Sequence, residues 1–140
     1  MNKRVTQAVI LAGGLGTRLK PFTNTKPKPM YPINNVPFID YLIRQMKDFG
    51  MEEVLLLLGY LPEKIMDYLG DGSRYGLTIN YNITPVDYDT GMRIKHAASQ
   101  IADKFLLLYC DNYCPINYSK LFADFCNNEA KIQITAYSNR

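Results

Sequence analysis

The sequence predicts an α/β fold: a doubly wound, mostly parallel sheet in three layers, with helices on both faces. Short aliphatic runs alternate with stretches whose apolar residues recur at helical spacing, the pattern of successive βαβ units with right-handed crossovers. A glycine-rich loop leaves the end of the first aliphatic run, and Asp111 leaves the end of a later one. In open parallel sheets, ligands bind outside the carboxyl ends of the strands, so these two departures mark one rim as the functional side.

Residues 5–12 alternate little in polarity and carry β-branched residues near their end, as a strand covered on both faces does. After a proline-rich segment, Pro37 opens a predicted helix that runs through Phe49, with Ile39, Leu42, Ile43 and Met46 on one face and Gly50 placed to end it. Residues 53–58 form a second buried strand. Pro62 starts another helix, with Ile65, Met66 and Leu69 as its apolar stripe. Asp71-Gly72-Ser73 is a turn, after which Leu77, Ile79 and Tyr81 alternate as a third strand. Ile94, Ala97, Ala98 and Ile101 share a helical face, with Thr90 as its cap. Residues 105–109 read as a fourth strand. Asn117 caps a helix bearing Tyr118, Leu121, Phe122 and Phe125, and residues 131–137 alternate as a fifth strand.

Composition limits the functional classes. At 140 residues, one domain with a real core is expected, and 47% hydrophobic with 21% charged residues excludes a disordered chain. The net charge of +3 is spread among acids, so no nucleic-acid face is predicted, although a local basic pocket for a polyphosphate fits. The N-terminal MNKRVTQ lacks the apolar region of a signal peptide and no run reaches membrane-spanning length; the expected setting is the cytoplasm, away from membranes. Three cysteines, an odd number, agree with a reducing compartment. Cys110 and Cys114 bracket Asp111, but with no second ligand pair and a single histidine, His96, they read as packed thiols instead of a zinc site.

The chemistry concentrates in residues 11–30, LAGGLGTRLKPFTNTKPKPM. Gly13, Gly14 and Gly16 have no Cβ, so they can adopt positive φ and bring backbone N–H groups close to an anion. Arg18 offers a planar fork of donors for phosphate oxygens, and Lys28 a compact, movable charge. Pro21, Pro27, Pro29 and Pro32 predict a stiff extended segment between them. A Walker loop would need a lysine directly after its last glycine, where Thr17 and Arg18 stand. A dinucleotide fingerprint would need a third glycine where Leu19 stands.

The pattern that these residues do match, LAGGxGTRLxPxT followed by Lys28-Pro29-Met30-Tyr31-Pro32, resembles the sugar-1-phosphate nucleotidyltransferase family, every fixed position of the loop being present from Leu11 through Thr23. Gly70-Asp71-Gly72-Ser73-Arg74-Tyr75-Gly76 matches the family's GDGSxxG element, and Cys110-Asp111-Asn112 its GDN element with Cys110 in place of glycine. The resemblance implies a Rossmann-like fold of the nucleotide-diphospho-sugar transferase type. It also implies transfer of a nucleotidyl group from a nucleoside triphosphate to a sugar 1-phosphate, in polysaccharide biosynthesis. In that scheme Arg18 grips the leaving pyrophosphate, Lys28 the α-phosphate, and Asp111 holds magnesium. Leu11, Ala12, Gly13, Gly14, Gly16 and Thr17 lie along the nucleotide, with Thr84 and Gly91 in the base-reading region. No side-chain base is required, because the attacking phosphate oxygen is already ionised.

Thr84 replaces the family's Glu or Gln, which leaves the base open, and Arg93 is read as a solvated helix residue rather than a phosphate or base contact. The resemblance runs from Val5 to about Tyr137 and covers only the nucleotide-binding half of the family fold, so residues 1–140 are expected to be a part truncated at its C-terminus. A homo-oligomer or a completing C-terminal segment is the expected partner. A non-catalytic nucleotide-binding module and a nucleotidyltransferase with a non-sugar acceptor are the alternatives; LxPxT and GDGSxxG speak against the latter.

Overall fold

The computed structural model describes residues 4–136 and 138. Strand β1 (Gln7–Ala12) is buried along its whole length. The chain then passes through three short 3-10 turns, Thr17–Leu19, Phe22–Asn24 and Lys28–Met30, rather than the extended segment predicted from its prolines. The reason is local. A φ near −65° suits a tight turn as well as an extended chain, and Pro21 and Pro29 sit at turn starts.

A small hairpin follows, β2 (Pro32–Ile33) and β3 (Val36–Pro37), antiparallel across Asn34 and Asn35 at φ 49° and 65°. Two left-handed residues make the two-residue turn whose twist matches paired strands, and asparagine is the non-glycine residue that tolerates it best. Helix α1 (Phe38–Asp48) buries Ile39, Leu42, Ile43 and Met46 completely. Gly50, at φ 81°, ends it: its N–H donates to the Lys47 carbonyl and the Met51 N–H to the Met46 carbonyl, a pair of bonds that satisfies the last turn.

Strand β4 (Glu53–Leu58), helix α2 (Pro62–Leu69), strand β5 (Thr78–Ile83), helix α3 (Thr90–His96), strand β6 (Leu106–Tyr109) and helix α4 (Tyr118–Asn127) complete the alternation. All four long strands are parallel, in the order β5-β4-β1-β6. Alternate residues of β1 and β4 face opposite layers. Ala8, Ile10, Val54 and Leu56 join α1, α2 and α4 in the larger core, while Val9, Leu11, Leu55 and Leu57 meet Ile94 of α3 and Ala97 just after it on the other side. The three-layer, parallel α/β architecture is thus the one that the sequence predicts.

Three further details differ from the prediction. The cap of α3 is Asp89, not Thr90: its carboxylate accepts the Met92 N–H at 2.8 Å, the favoured arrangement for an acid before a helix N-terminus. That helix stops at His96, and a 3-10 turn follows (Ala98–Gln100) with Ala98 exposed. The predicted fifth strand is not formed over 131–136; its last residue, Tyr137, lies outside the described residues. With no ladder partner among the described residues, Ile132 and Ile134 stand 79% exposed, and β6 remains the end of the sheet with Leu107 41% exposed.

One buried charge ties α1 to α2 and the turn that follows. The Asp40 side chain, 5% exposed, accepts hydrogen bonds from Tyr75 (2.7 Å), Tyr68 (3.2 Å) and Arg44 (2.6 Å), and Arg74 lies 3.9 Å away. Burial pushes its carboxyl upward, but the Tyr75 and Arg44 bonds outweigh burial and hold it below the ordinary carboxylate range. A depressed folded value contributes stability that is present above the unfolded value of about 4 and is lost as pH falls through the folded one. Denaturation midpoints of the wild type are therefore expected to fall on acidification below about pH 4, and those of Asp40→Asn to start lower and fall less. Parallel curves for the two proteins would remove Asp40 from the acid response.

Candidate functional site

The strand order reverses direction between β1 and β6, and the crevice outside their carboxyl ends is where a parallel sheet of this kind takes a ligand. Both loops singled out from the sequence leave the sheet there. Leu11 pairs with Tyr109, and the Leu11 carbonyl accepts the Cys110 N–H at 3.1 Å, which fixes Asp111 just beyond the ladder.

From Ala12 the chain enters the glycine loop. Of its three glycines only Gly16 has a positive φ, 62°, so the left-handed conformation predicted as open to all three is used once. The Gly16 carbonyl accepts the Leu19 N–H and the Thr23 hydroxyl, both at 3.0 Å. A Cβ on Gly16 would stand 2.9 Å from the Lys28 Cβ, so this glycine lets the lysine-bearing turn close over the loop. Tyr60, after β4, braces the same loop, its hydroxyl donating to the Thr23 carbonyl at 2.6 Å.

Lys28 and Asp111, 83 positions apart, meet at 2.7 Å between Nζ and Oδ2, with side chains 38% and 45% exposed. They line a hollow of about 160 Å³ with Leu19, Tyr31, Phe38 and Cys110. Leu19 and Tyr31 also line an open groove of about 500 Å³ that holds Arg18 and Lys20. The rim of β1 and β6 therefore carries one carboxylate and three cations around two adjoining hollows. Burial, with Asp111 adding to it, pushes the Cys110 thiol up to about 12, so it is a packed, unreactive neighbour of the carboxylate.

With this geometry in place, comparison with known proteins is decisive: the sequence matches the nucleotidyl transferase family over residues 7–140. The chain belongs to the nucleotidyl transferase family. It is 39% identical over 126 residues to D-glycero-alpha-D-manno-heptose 1-phosphate guanylyltransferase of Campylobacter jejuni, a match covering 90% of this chain and 55% of that protein. It is 32% identical to choline-phosphate cytidylyltransferase of Streptococcus pneumoniae, over 88% of this chain and 56% of the other. The crystal structure of HddC from Yersinia pseudotuberculosis complexed with GMP-PN superposes with a TM-score of 0.76 at 34% identity, over 88% of this chain and 55% of that one. The chain thus spans about half the length of these curated relatives, 55% and 56%.

Within this nucleotidyl transferase fold, the remaining residues singled out from the sequence fall into distinct settings. Leu11 and Ala12 are buried by side chain, so they can meet a ligand only through backbone. Gly14 and Thr17 are exposed on the loop, and Gly91 is exposed in the first turn of α3. Thr84 is buried, and its hydroxyl is spent inside the protein, donating to the Leu58 carbonyl at 3.3 Å and accepting from Arg93. It does not face outward as a base-reading hydroxyl would. The GDGSxxG element lies before β5, at the N-terminal rim opposite the crevice; its glycines 70, 72 and 76 all have positive φ, so it is a built turn away from the site.

Arg93 is the residue that sequence reasoning missed. It is 4% exposed, not solvated, and its guanidinium donates to the carbonyls of Leu58 (3.0 Å), Gly13 (3.2 Å) and Val86 (3.1 Å) as well as to Thr84. Burial lowers its affinity for the proton, with Asp87 opposing that; an arginine nevertheless stays charged at any working pH. The available signal was its position four residues before buried Ala97, on the inward stripe of α3.

Proposed function

We propose that this chain is the nucleotide-binding part of an enzyme that transfers a guanylyl group from GTP to a sugar 1-phosphate, forming a GDP-sugar and pyrophosphate. The observation that carries the reading is the convergence of Lys28, Asp111 and the glycine loop at the β1/β6 crevice. The heptose 1-phosphate guanylyltransferase relatives, at 39% and 36% identity, support guanine and a heptose 1-phosphate as the first substrates to test.

In this reading an ionised oxygen of the sugar phosphate attacks the α-phosphorus in line; the new O–P bond forms as the bond to pyrophosphate breaks, and the electron pair leaves with pyrophosphate. Charge builds on the non-bridging and leaving oxygens, so the protein's task is positioning and electrostatic stabilisation. Lys28 serves the α-phosphate, Arg18 the departing pyrophosphate, and exposed Gly14 offers its backbone. Asp111 suits magnesium, a hard cation that takes one or two carboxylates and completes its shell with phosphate oxygens and water. Among the described residues no set of three His, Cys, Asp or Glu could hold a metal. When bound, magnesium would neutralise phosphate charge there.

The choline-phosphate cytidylyltransferase relative, at 32% identity, favours a second reading in which the acceptor is a non-sugar phosphate. Acceptor assays on the full-length protein separate the two.

Calorimetric titration of the chain with each common nucleoside triphosphate, with and without magnesium, tests the nucleotide half directly. Magnesium-dependent binding of GTP is expected; binding of none would overturn the reading. In the same assay Arg18→Ala is expected to weaken GTP at least about tenfold, the worth of a charge-assisted phosphate contact, while guanosine binding stays unchanged. Equal losses for both ligands would reject the assignment of Arg18 to phosphate.

A further inference from the structure

The peptide joining Gly13 to Gly14 is where the chain leaves β1, and it is held from one side. The Gly13 carbonyl accepts Nη2–H of Arg93 at 3.2 Å and the Tyr60 N–H at 3.3 Å. This peptide is trans, so its carbonyl and the N–H of Gly14 point in opposite directions across the C–N bond. Fixing the carbonyl toward buried Arg93 therefore turns the Gly14 N–H outward. On that side there is room: Gly14 is exposed, a Cβ built on it would meet nothing within 4 Å, and no hydrogen bond among the described residues engages its N–H.

The slot for Arg93 is built by glycines. A Cβ on Gly13 would collide with the guanidinium, and one on Gly59 would stand 2.7 Å from Nη1 and 2.6 Å from the Gly13 carbonyl oxygen. Gly13 is thus required for the space that it leaves, not for an unusual φ. The same guanidinium holds the Val86 carbonyl, so a single planar fork joins the glycine loop, the end of β4 and the segment after β5. Lysine, with one compact nitrogen, cannot reproduce that spread of acceptors.

We propose that Arg93 is a positioning residue for polyphosphate: it never touches the ligand, but by holding the Gly13 carbonyl it presents the Gly14 N–H to a phosphate oxygen in the crevice. The inference rests on the phosphate reading of the loop given above. The buried positive charge behind the peptide also polarises it in the sense that strengthens the Gly14 N–H as a donor.

The test follows the Gly14 amide resonance of the isotope-labelled chain during titration with inorganic pyrophosphate, beside calorimetry with GTP and guanosine, for wild type, Arg93→Lys and Gly59→Ala. In the wild type the Gly14 amide is expected to shift saturably. In Arg93→Lys the pyrophosphate dissociation constant is expected to rise about tenfold while guanosine affinity stays the same. Gly59→Ala, which lies outside the phosphate loop and crowds both the guanidinium and the Gly13 carbonyl that it holds, is expected to give the same selective loss and serves if Arg93→Lys does not fold.

A Gly14 amide unmoved by pyrophosphate overturns the inference, as does an unchanged dissociation constant in both variants. Equal losses for pyrophosphate and guanosine do the same, because a packing defect alone would produce them. If GTP binds while the Gly14 amide stays still, the nucleotide reading stands and this inference falls. If pyrophosphate moves Gly14 in the wild type and the variants lose it selectively, yet no nucleotide binds, the inference stands and the nucleotide reading falls.

Discussion

Asp111→Asn is expected to abolish the magnesium enhancement of triphosphate binding and, at the same time, to tighten metal-free binding. The two effects have opposite signs because the carboxylate has two relations to the site. Among the described residues it is the one acidic group lining the hollow that holds Lys28, so its loss removes the ligand proposed for magnesium. It also neutralises Lys28 at 2.7 Å and repels an incoming polyphosphate. Losing a hard carboxylate ligand should erase at least about a tenfold magnesium effect, roughly 1.4 kcal/mol. The metal-free gain should be smaller, about twofold to fivefold, because a half-exposed ion pair is worth less than about 1 kcal/mol after solvent screening. Lys28→Met provides the contrast and should weaken binding with and without the metal. If Asp111→Asn instead lowers both affinities in the same proportion, the carboxylate is structural and magnesium does not use it.

Leu56→Ala is expected to be the most damaging single truncation in the sheet, by about 3–5 kcal/mol, against a total stability of about 5–15 kcal/mol. Leu56 is fully buried at the middle of β4, paired through Ile10 to β1 and through Tyr81 to β5, and it shares its core with Ile39, Leu42 and Met46 of α1. Strands flank it on both sides and helices cover it, so the cavity left by alanine cannot collapse. A fall in Tm on the order of 10 °C should follow. Leu107→Ala on β6 removes the same atoms from a side chain 41% exposed and should cost less than about 1 kcal/mol. Thermal and denaturant unfolding of the two variants checks the difference; similar losses would mean that β6 is packed as tightly as β4.

What the sequence by itself determined is what short-range rules encode. Apolar runs within 53–58 and 105–109, helical spacing at Ile39, Leu42, Ile43 and Met46, and Gly50 after them each express a period or a backbone preference within a few residues. The alternation of those elements then leaves few topologies, of which the parallel sheet is one. The loop of residues 11–30 was legible for the same reason: its glycines, Arg18 and Lys28 are close in sequence and matched a family pattern as a block. The hairpin at Asn34-Asn35 was not predicted, although its signal is equally local: two adjacent residues that tolerate a left-handed backbone.

Only the tertiary structure decided which distant groups meet. Lys28 finds Asp111 because β1 and β6 lie side by side, a pairing that leaves no trace in the spacing of either residue. Arg93 looked like a solvated cation because a charged side chain on a helix is seldom buried unless it is paired, and nothing within a few residues of it marks a partner. Its burial comes from carbonyls 80 and 35 positions away and from the space left by Gly13 and Gly59. Thr84 turned inward with it. The predicted strand at 131–137 failed over its described residues for the complementary reason: alternation marks a segment able to pair, but a ladder needs a neighbour, and none lies beside 131–136 among the described residues. Periodicity and propensity act along the chain, whereas the partner of a buried charge or of a strand edge is chosen across it.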